Sequence, residues 1–133
     1  MSARAWLIAG FGCRQGCPVS ELQGLLDQAL ALAGARATEL CGIATFERRL
    51  DEPGLLALAK RLTLPLGGYP AAALAPFEPF LSHRSEVSWR HTGCHGVAES
   101  AALAHCQALS TLQPRLLVTR QCSAQATVAL AST

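Results

Sequence analysis

The stretch Ala5-Trp6-Leu7-Ile8-Ala9-Gly10-Phe11-Gly12-Cys13-Arg14-Gln15-Gly16 decides the fold class. Its apolar run is too short for a helix and ends in glycines, and a helical pattern starts at about Pro18. That order reads as strand, tight loop and helix, the opening of an α/β unit. In such a unit, N–H groups of the loop and the first helical turn converge on one spot that suits an anion, here with Arg14 beside it. A second glycine loop, Gly93-Cys94-His95-Gly96, opens another helical pattern late in the chain. Together the loops make Gly10, Gly12, Cys13, Arg14, Gly16, Gly93 and Gly96 candidates for holding a polyanionic ligand. A plain tight turn at the first loop is the competing reading.

Working outward, Leu22, Leu25, Leu26, Ala29, Leu30 and Ala33 fall at spacings of three and four, so a helix is expected over residues 19–35. Pro18 suits its first turn and Gly34 its end. The run from Leu40 to Thr45 reads as a second strand. A helix with Leu55, Leu56, Leu58, Ala59 and Leu62 inward follows, capped by Asp51, with Glu52 and Pro53 in its first turn. Leu64 to Leu66 reads as a third strand ending at Gly67-Gly68, which completes a βαβαβ pattern. Prolines between Pro70 and Pro79 predict a short helical turn and a loop. A helix over 97–109 and strands over 116–119 and 126–130 close the chain, the last two as a hairpin. The expected fold is therefore α/β: a single three-layer domain spanning residues 1–133, its mostly parallel but mixed sheet flanked by helices.

Composition narrows the function. At 133 residues the chain suits one core, and with half its residues apolar and 15% charged it is not a disordered segment. A formal charge of +2 with scattered basic residues does not point to nucleic acid. No run approaches the roughly 20 apolar residues of a membrane span. A buried strand accounts for the apolar N-terminus better than a signal peptide does, so a cytoplasmic location without membrane attachment is expected. The six cysteines are then thiols, with Cys41 and Cys106 reading as small core residues.

Several candidate chemistries compete with plainer readings. Gly10-Phe11-Gly12 is followed by Gly16, one residue too late for the dinucleotide fingerprint, and no acidic residue ends the second strand, which argues against NAD. Glu99, three residues after Gly96, reads either as the acidic partner of a capping box or as a general acid or base. Cys13, Cys17, Cys94, His91 and His95 lack the paired spacing of a zinc site, so no metal is assigned. Arg49 and Arg120 each follow a predicted strand. Ligands of open α/β sheets sit beyond the carboxyl ends of parallel strands, so Arg14 and Arg49 would share one edge, joined by Arg120 if its strand is parallel to the first. A solvated charge is the plainer reading of each.

With these residues laid out, the chain resembles the CobE family of cobalamin biosynthesis, homologous to the C-terminal domain of CbiG. Four blocks carry the likeness: Gly10 to Gly16; Ile43-Ala44-Thr45 through Asp51-Glu52-Pro53-Gly54-Leu55; Gly93 to Ala102 around Val97-Ala98-Glu99-Ser100; and Leu116-Leu117-Val118 through Thr127 to Ala131. The resemblance implies a role in corrin-ring synthesis. In CbiG the reaction opens a lactone on a cobalt-containing precorrin and releases acetaldehyde, but this chain corresponds only to the C-terminal part. Lysine is frequent in the family where Arg49 and Arg120 stand, and serine where Gly96 stands. Cys17, Cys94 and Cys122 lie outside the shared pattern.

A corrin precursor is an apolar macrocycle ringed by carboxylates. It would suit an apolar platform, for which Phe11, Tyr69, Phe77 and Phe80 are candidates, with arginines at its rim. The expected function is binding of a carboxylated corrinoid or precorrin intermediate, as carrier or accessory factor, Arg14, Arg49 and Arg120 holding carboxylates and Glu99 the acid–base candidate. Other cobalamin-pathway enzymes are candidate partners, and no cofactor is implied. The alternatives are a hydrolase acting on a precorrin lactone or carbon fragment, and a cysteine-based zinc or redox module.

Overall fold

The computed structural model describes residues 6–82 and 96–133. Strand β1 (Leu7–Cys13) leads through helix α1 (Val19–Ala33) to β2 (Gly42–Phe46), then through α2 (Pro53–Leu62) to β3 (Leu66–Tyr69). Helix α3 (Ala71–Leu74), a 3-10 segment (Ala75–Phe80) and α4 (Val97–Leu109) follow, and β4 (Arg115–Cys122) and β5 (Ala126–Ser132) form a hairpin. The strands make one sheet in the order β3-β2-β1-β5-β4. β1, β2 and β3 are parallel, and β5 is antiparallel to both of its neighbours. β4 therefore runs in the same direction as β1. The expected single α/β domain with a mixed sheet is present.

Alternation along the strands builds two cores, one on each face of the sheet. Leu7, Ala9 and Phe11 of β1 face α1 and α2, packing with Leu22, Leu26, Leu55 and Leu58. Ile8 points the other way, toward Ala101, Ala102 and Leu103 of α4 and Leu74 of α3. The stripe expected on α1 is buried at Leu22, Leu25, Leu26, Ala29 and Leu30, and Gly34 ends the helix at φ 66°.

The glycines read as a loop turn out to be mostly strand. Gly10 and Gly12 lie within β1, Gly10 because α4 crosses it too closely for a side chain and Gly12 with the Thr127 hydroxyl of β5 2.8 Å from where a Cβ would sit. A Cβ on Gly10 would sit 2.0 Å from the Ala98 carbonyl oxygen and 2.6 Å from the Ala102 nitrogen. Gly67 and Gly68 likewise continue β3 rather than ending it. Added Cβ atoms would strike His105 at Gly67, Leu50 at Gly68 and His105 again at Gly42. The cap of α2 also moves: Glu52, not Asp51, is the N-cap residue, with Pro53 as the first helical residue and no side-chain bond to the helix. Leu56, expected inward, is exposed beside buried Leu55 and Leu58.

His105 sits over Gly42 and Gly67, with Nδ1 2.6 Å from the Tyr69 hydroxyl. Its Nε2 is buried with no hydrogen-bond partner among the described residues. Burial lowers its pKa below the ordinary 6.5. As pH falls, the unfolded chain therefore takes up this proton before the folded one does. Below about pH 6.5 this residue makes stability decline with acid, whereas above that value it contributes no slope.

Two measurements check this account. In urea unfolding, Gly10→Ala is expected to destabilise by about 1–3 kcal/mol or more, since backbone rather than a mobile side chain blocks the methyl. Gly24→Ala, in open space on α1, is expected to stabilise by about 0.5–1 kcal/mol. In thermal melts across pH, the advantage of wild type over His105→Gln should shrink as pH drops below 6.5.

Candidate functional site

The carboxyl ends of β1, β2 and β4 and the first residues of β5 meet at one edge of the sheet, where α4 also begins. The cleft at this edge has a volume of about 610 Å3. Arg14 enters it from the turn after β1, Arg48 and Arg49 from the 3-10 turn after β2 (Glu47–Arg49), and Arg120 from near the end of β4. Because β4 runs with β1, the condition set for Arg120 is met. Among the described residues, no Asp or Glu lines the cleft. Its floor is Gly12, Cys13, Phe46, Val97 and Ala98, and the β4–β5 turn supplies Ser123 and Gln125.

The acidic side chains of this edge brace its loops instead. Glu52, 4% exposed, accepts a 2.8 Å bond from the Gly16 amide across the neighbouring turn. Glu21, in the first turn of α1, accepts the Gln125 amide at 2.7 Å and also the Ser123 hydroxyl. These bonds, the serine hydroxyl foremost, hold the Glu21 carboxyl below its usual range. Arg49 Nε donates to the Cys13 carbonyl at 3.0 Å, which fixes its guanidinium at the cleft.

Of the residues singled out from sequence, Gly12, Cys13, Arg14, Arg49, Gly96 and Arg120 gather round this cleft. Gly10 does not, being under α4, and the Gly16 N–H is committed to Glu52. Gly93, Cys94, His91 and His95 lie outside the described residues. Glu99 is 1% exposed and makes no capping box; it accepts from Ser82 and from the Arg120 amide. None of the four aromatic platform candidates lines the cleft: Phe11 is fully buried under α1 and α2, and Tyr69 pairs with His105. Phe46 stands there instead, and Arg48 joins the arginines. The Arg48-Arg49 pair after a strand was the available signal for Arg48.

Among the described residues no group of three or more His, Cys, Asp or Glu is arranged to hold a metal. Burial, with Cys17 and Glu52 nearby, pushes the Cys13 thiol up to about 12 against the pull of Arg49. Burial also raises Cys106 to about 11, helped by Cys41. Both stay protonated and unreactive near neutral pH. Cys41, read as core, is only half-buried, whereas Cys17 is buried.

Comparison with known proteins agrees with this architecture. The family described as cobalamin synthesis G C-terminus matches residues 7–131. The chain belongs to the CobE/CbiG C-terminal family of cobalamin biosynthesis. Protein CobE of Sinorhizobium is 39% identical over 97% of this chain and 81% of its own length. A crystal structure of CobE, from the cobalamin biosynthetic pathway, superposes with a TM-score of 0.95 at 38% identity, covering 100% of this chain and 94% of that one. The cobalamin biosynthesis protein chiG of Agrobacterium tumefaciens follows with a TM-score of 0.70 at 28% identity, covering 94% of this chain and 96% of that one. Cobalt-precorrin-5A hydrolase of Priestia megaterium is 27% identical over 73% of this chain, which spans only 25% of that enzyme. The chain is thus a cobalamin biosynthesis protein of the CobE/CbiG C-terminal family, and no helix among its described residues is long and apolar enough to cross a membrane.

The thiol environments can be tested directly. In a short iodoacetamide pulse at pH 8 read by peptide mass spectrometry, exposed Cys122 should label well ahead of Cys13 and Cys106, which should react fully only after denaturation.

Proposed function

We propose that this chain binds a carboxylated corrinoid or precorrin intermediate at the arginine-lined cleft, as a carrier or accessory factor of corrin-ring synthesis. The observation that carries the reading is the lining itself: Arg14, Arg48, Arg49 and Arg120 surround a cleft of about 610 Å3 to which no carboxylate is contributed among the described residues. Four guanidiniums gathered at one cleft create a positive potential, and each can pair bidentately with a carboxylate. The volume lies within the roughly 300–1,000 Å3 range of ligand sites. Phe46, Val97 and Ala98 add an apolar floor for a macrocycle edge. The N-terminus of α4 contributes partial positive charge to the same side.

Membership of the family supports the substrate class, since a corrin precursor combines an apolar ring with a carboxylate periphery. The similarity to cobalt-precorrin-5A hydrolase keeps a hydrolytic step on the same ring as the second reading. A cysteine-based module has less support, given the protonated Cys13 and Cys106 and the lack of a metal-ligand group among the described residues.

A visible-absorption titration with hydrogenobyrinic acid, followed by mass spectrometry of the ligand, tests the proposal. A saturable spectral shift with unchanged ligand mass is expected. Affinity should fall with added salt, and roughly tenfold or more for each of Arg14→Ala, Arg49→Ala and Arg120→Ala, because a lost charged hydrogen bond costs about 1.5–3 kcal/mol. A change in ligand mass under turnover would favour the hydrolase, and absence of any shift with corrinoid intermediates would overturn the binding reading.

A further inference from the structure

We infer that Glu99 is a positioning residue of the cleft, holding an irregular stretch of edge strand β4 so that Arg120 stands on the rim. The register between β4 and β5 shifts between Leu116 and Val118 and again between Val118 and Gln121. Arg120 falls in the second of these irregular stretches. A bulge takes a residue out of the regular ladder and re-aims its side chain, leaving its N–H in need of another acceptor. The Arg120 amide finds that acceptor in Glu99 Oε2 at 2.8 Å.

Glu99 is placed for this and not for the ligand. It is the third residue of α4, where negative charge is favoured by the helix dipole, and only 1% of it is exposed. A carboxylate so buried persists only if its oxygens are bonded. Oε1 accepts the Ser82 amide at 2.8 Å, and Oε2 accepts the Ser82 hydroxyl at 2.5 Å as well as Arg120. Glu99 thereby ties together α4, the chain at Ser82 and the outer strand. Val97, Ala98 and Arg120 line the cleft, and Glu99 does not.

The part of this inference that concerns affinity rests on the binding reading above; the hydrogen-bond coupling does not. Two experiments separate them. In native-state hydrogen exchange, the Arg120 amide is expected to be protected in wild type although it lies on an edge strand. Glu99→Gln should lose that protection by tenfold or more while amides of β5 keep theirs. With hydrogenobyrinic acid as probe, Glu99→Gln should weaken binding about tenfold. The double variant Glu99→Gln/Arg120→Ala should bind no worse than Arg120→Ala alone, whereas Glu99→Gln combined with Arg14→Ala should show additive losses. A general loss of structure would instead be additive in both pairs.

If Glu99→Gln does not fold, Glu99→Asp serves in the same cycle, keeping the charge while shortening the reach. An unprotected Arg120 amide in wild type, or additive losses with Arg120→Ala, overturns the inference. So does catalytic turnover that Glu99→Gln abolishes while Arg120 stays protected. If wild type binds no corrinoid, the binding reading fails, and the exchange measurement still decides the coupling.

Discussion

Helix α4 lies against the central strand β1 at a separation that only glycine at position 10 permits, with the helix backbone where a side chain would be. Much of the molecule follows from this contact. Close approach requires small residues on the helix too, and Ala98, Ala101, Ala102 and Ala104 are all buried. It seats His105 over two more glycines, Gly42 and Gly67, at β2 and β3. At its other end it carries the first turn of α4 into the cleft and sets Glu99 beside β4. A larger residue at position 10 would displace the helix that joins both halves of the sheet.

The second organising feature is a division of charge. Guanidiniums face the cleft, while Glu21, Glu52 and Glu99 turn to the backbone amides of Gln125, Gly16 and Arg120 on neighbouring segments. A carboxylate accepting amide hydrogens rigidifies a loop and is removed as a competitor for the arginines. The arginines then keep their charge for an anion, and the Arg49 bond to the Cys13 carbonyl holds one of them in a fixed orientation.

Much of the fold was legible in the chain. The apolar spacing of α1, the glycine stop at Gly34, the βαβαβ order and the terminal hairpin are local signals, and each corresponds to an observed element. The errors share a cause. Gly10, Gly12, Gly67 and Gly68 resemble turn residues locally, yet are strand residues whose side-chain space is taken by α4, Thr127, His105 and Leu50, which come from elsewhere in the chain. Phe11 is a similar case: it is on the face of β1 covered by α1 and α2, a consequence of strand register.

At the site, the glycine loop singled out Arg14, and strand-end positions singled out Arg49 and Arg120. Their convergence depended on the direction of β4, which the hairpin with β5 sets. The roles of Glu52 and Glu99 were invisible, because their partners are amides of distant residues that no spacing rule connects. By itself the sequence determined the elements, their apolar faces and the family, since these rest on periodicity and on residue patterns along one chain. Only the tertiary structure decided which charges face the cleft and which brace it, because that sorting depends on backbone hydrogen bonds formed between segments far apart in sequence.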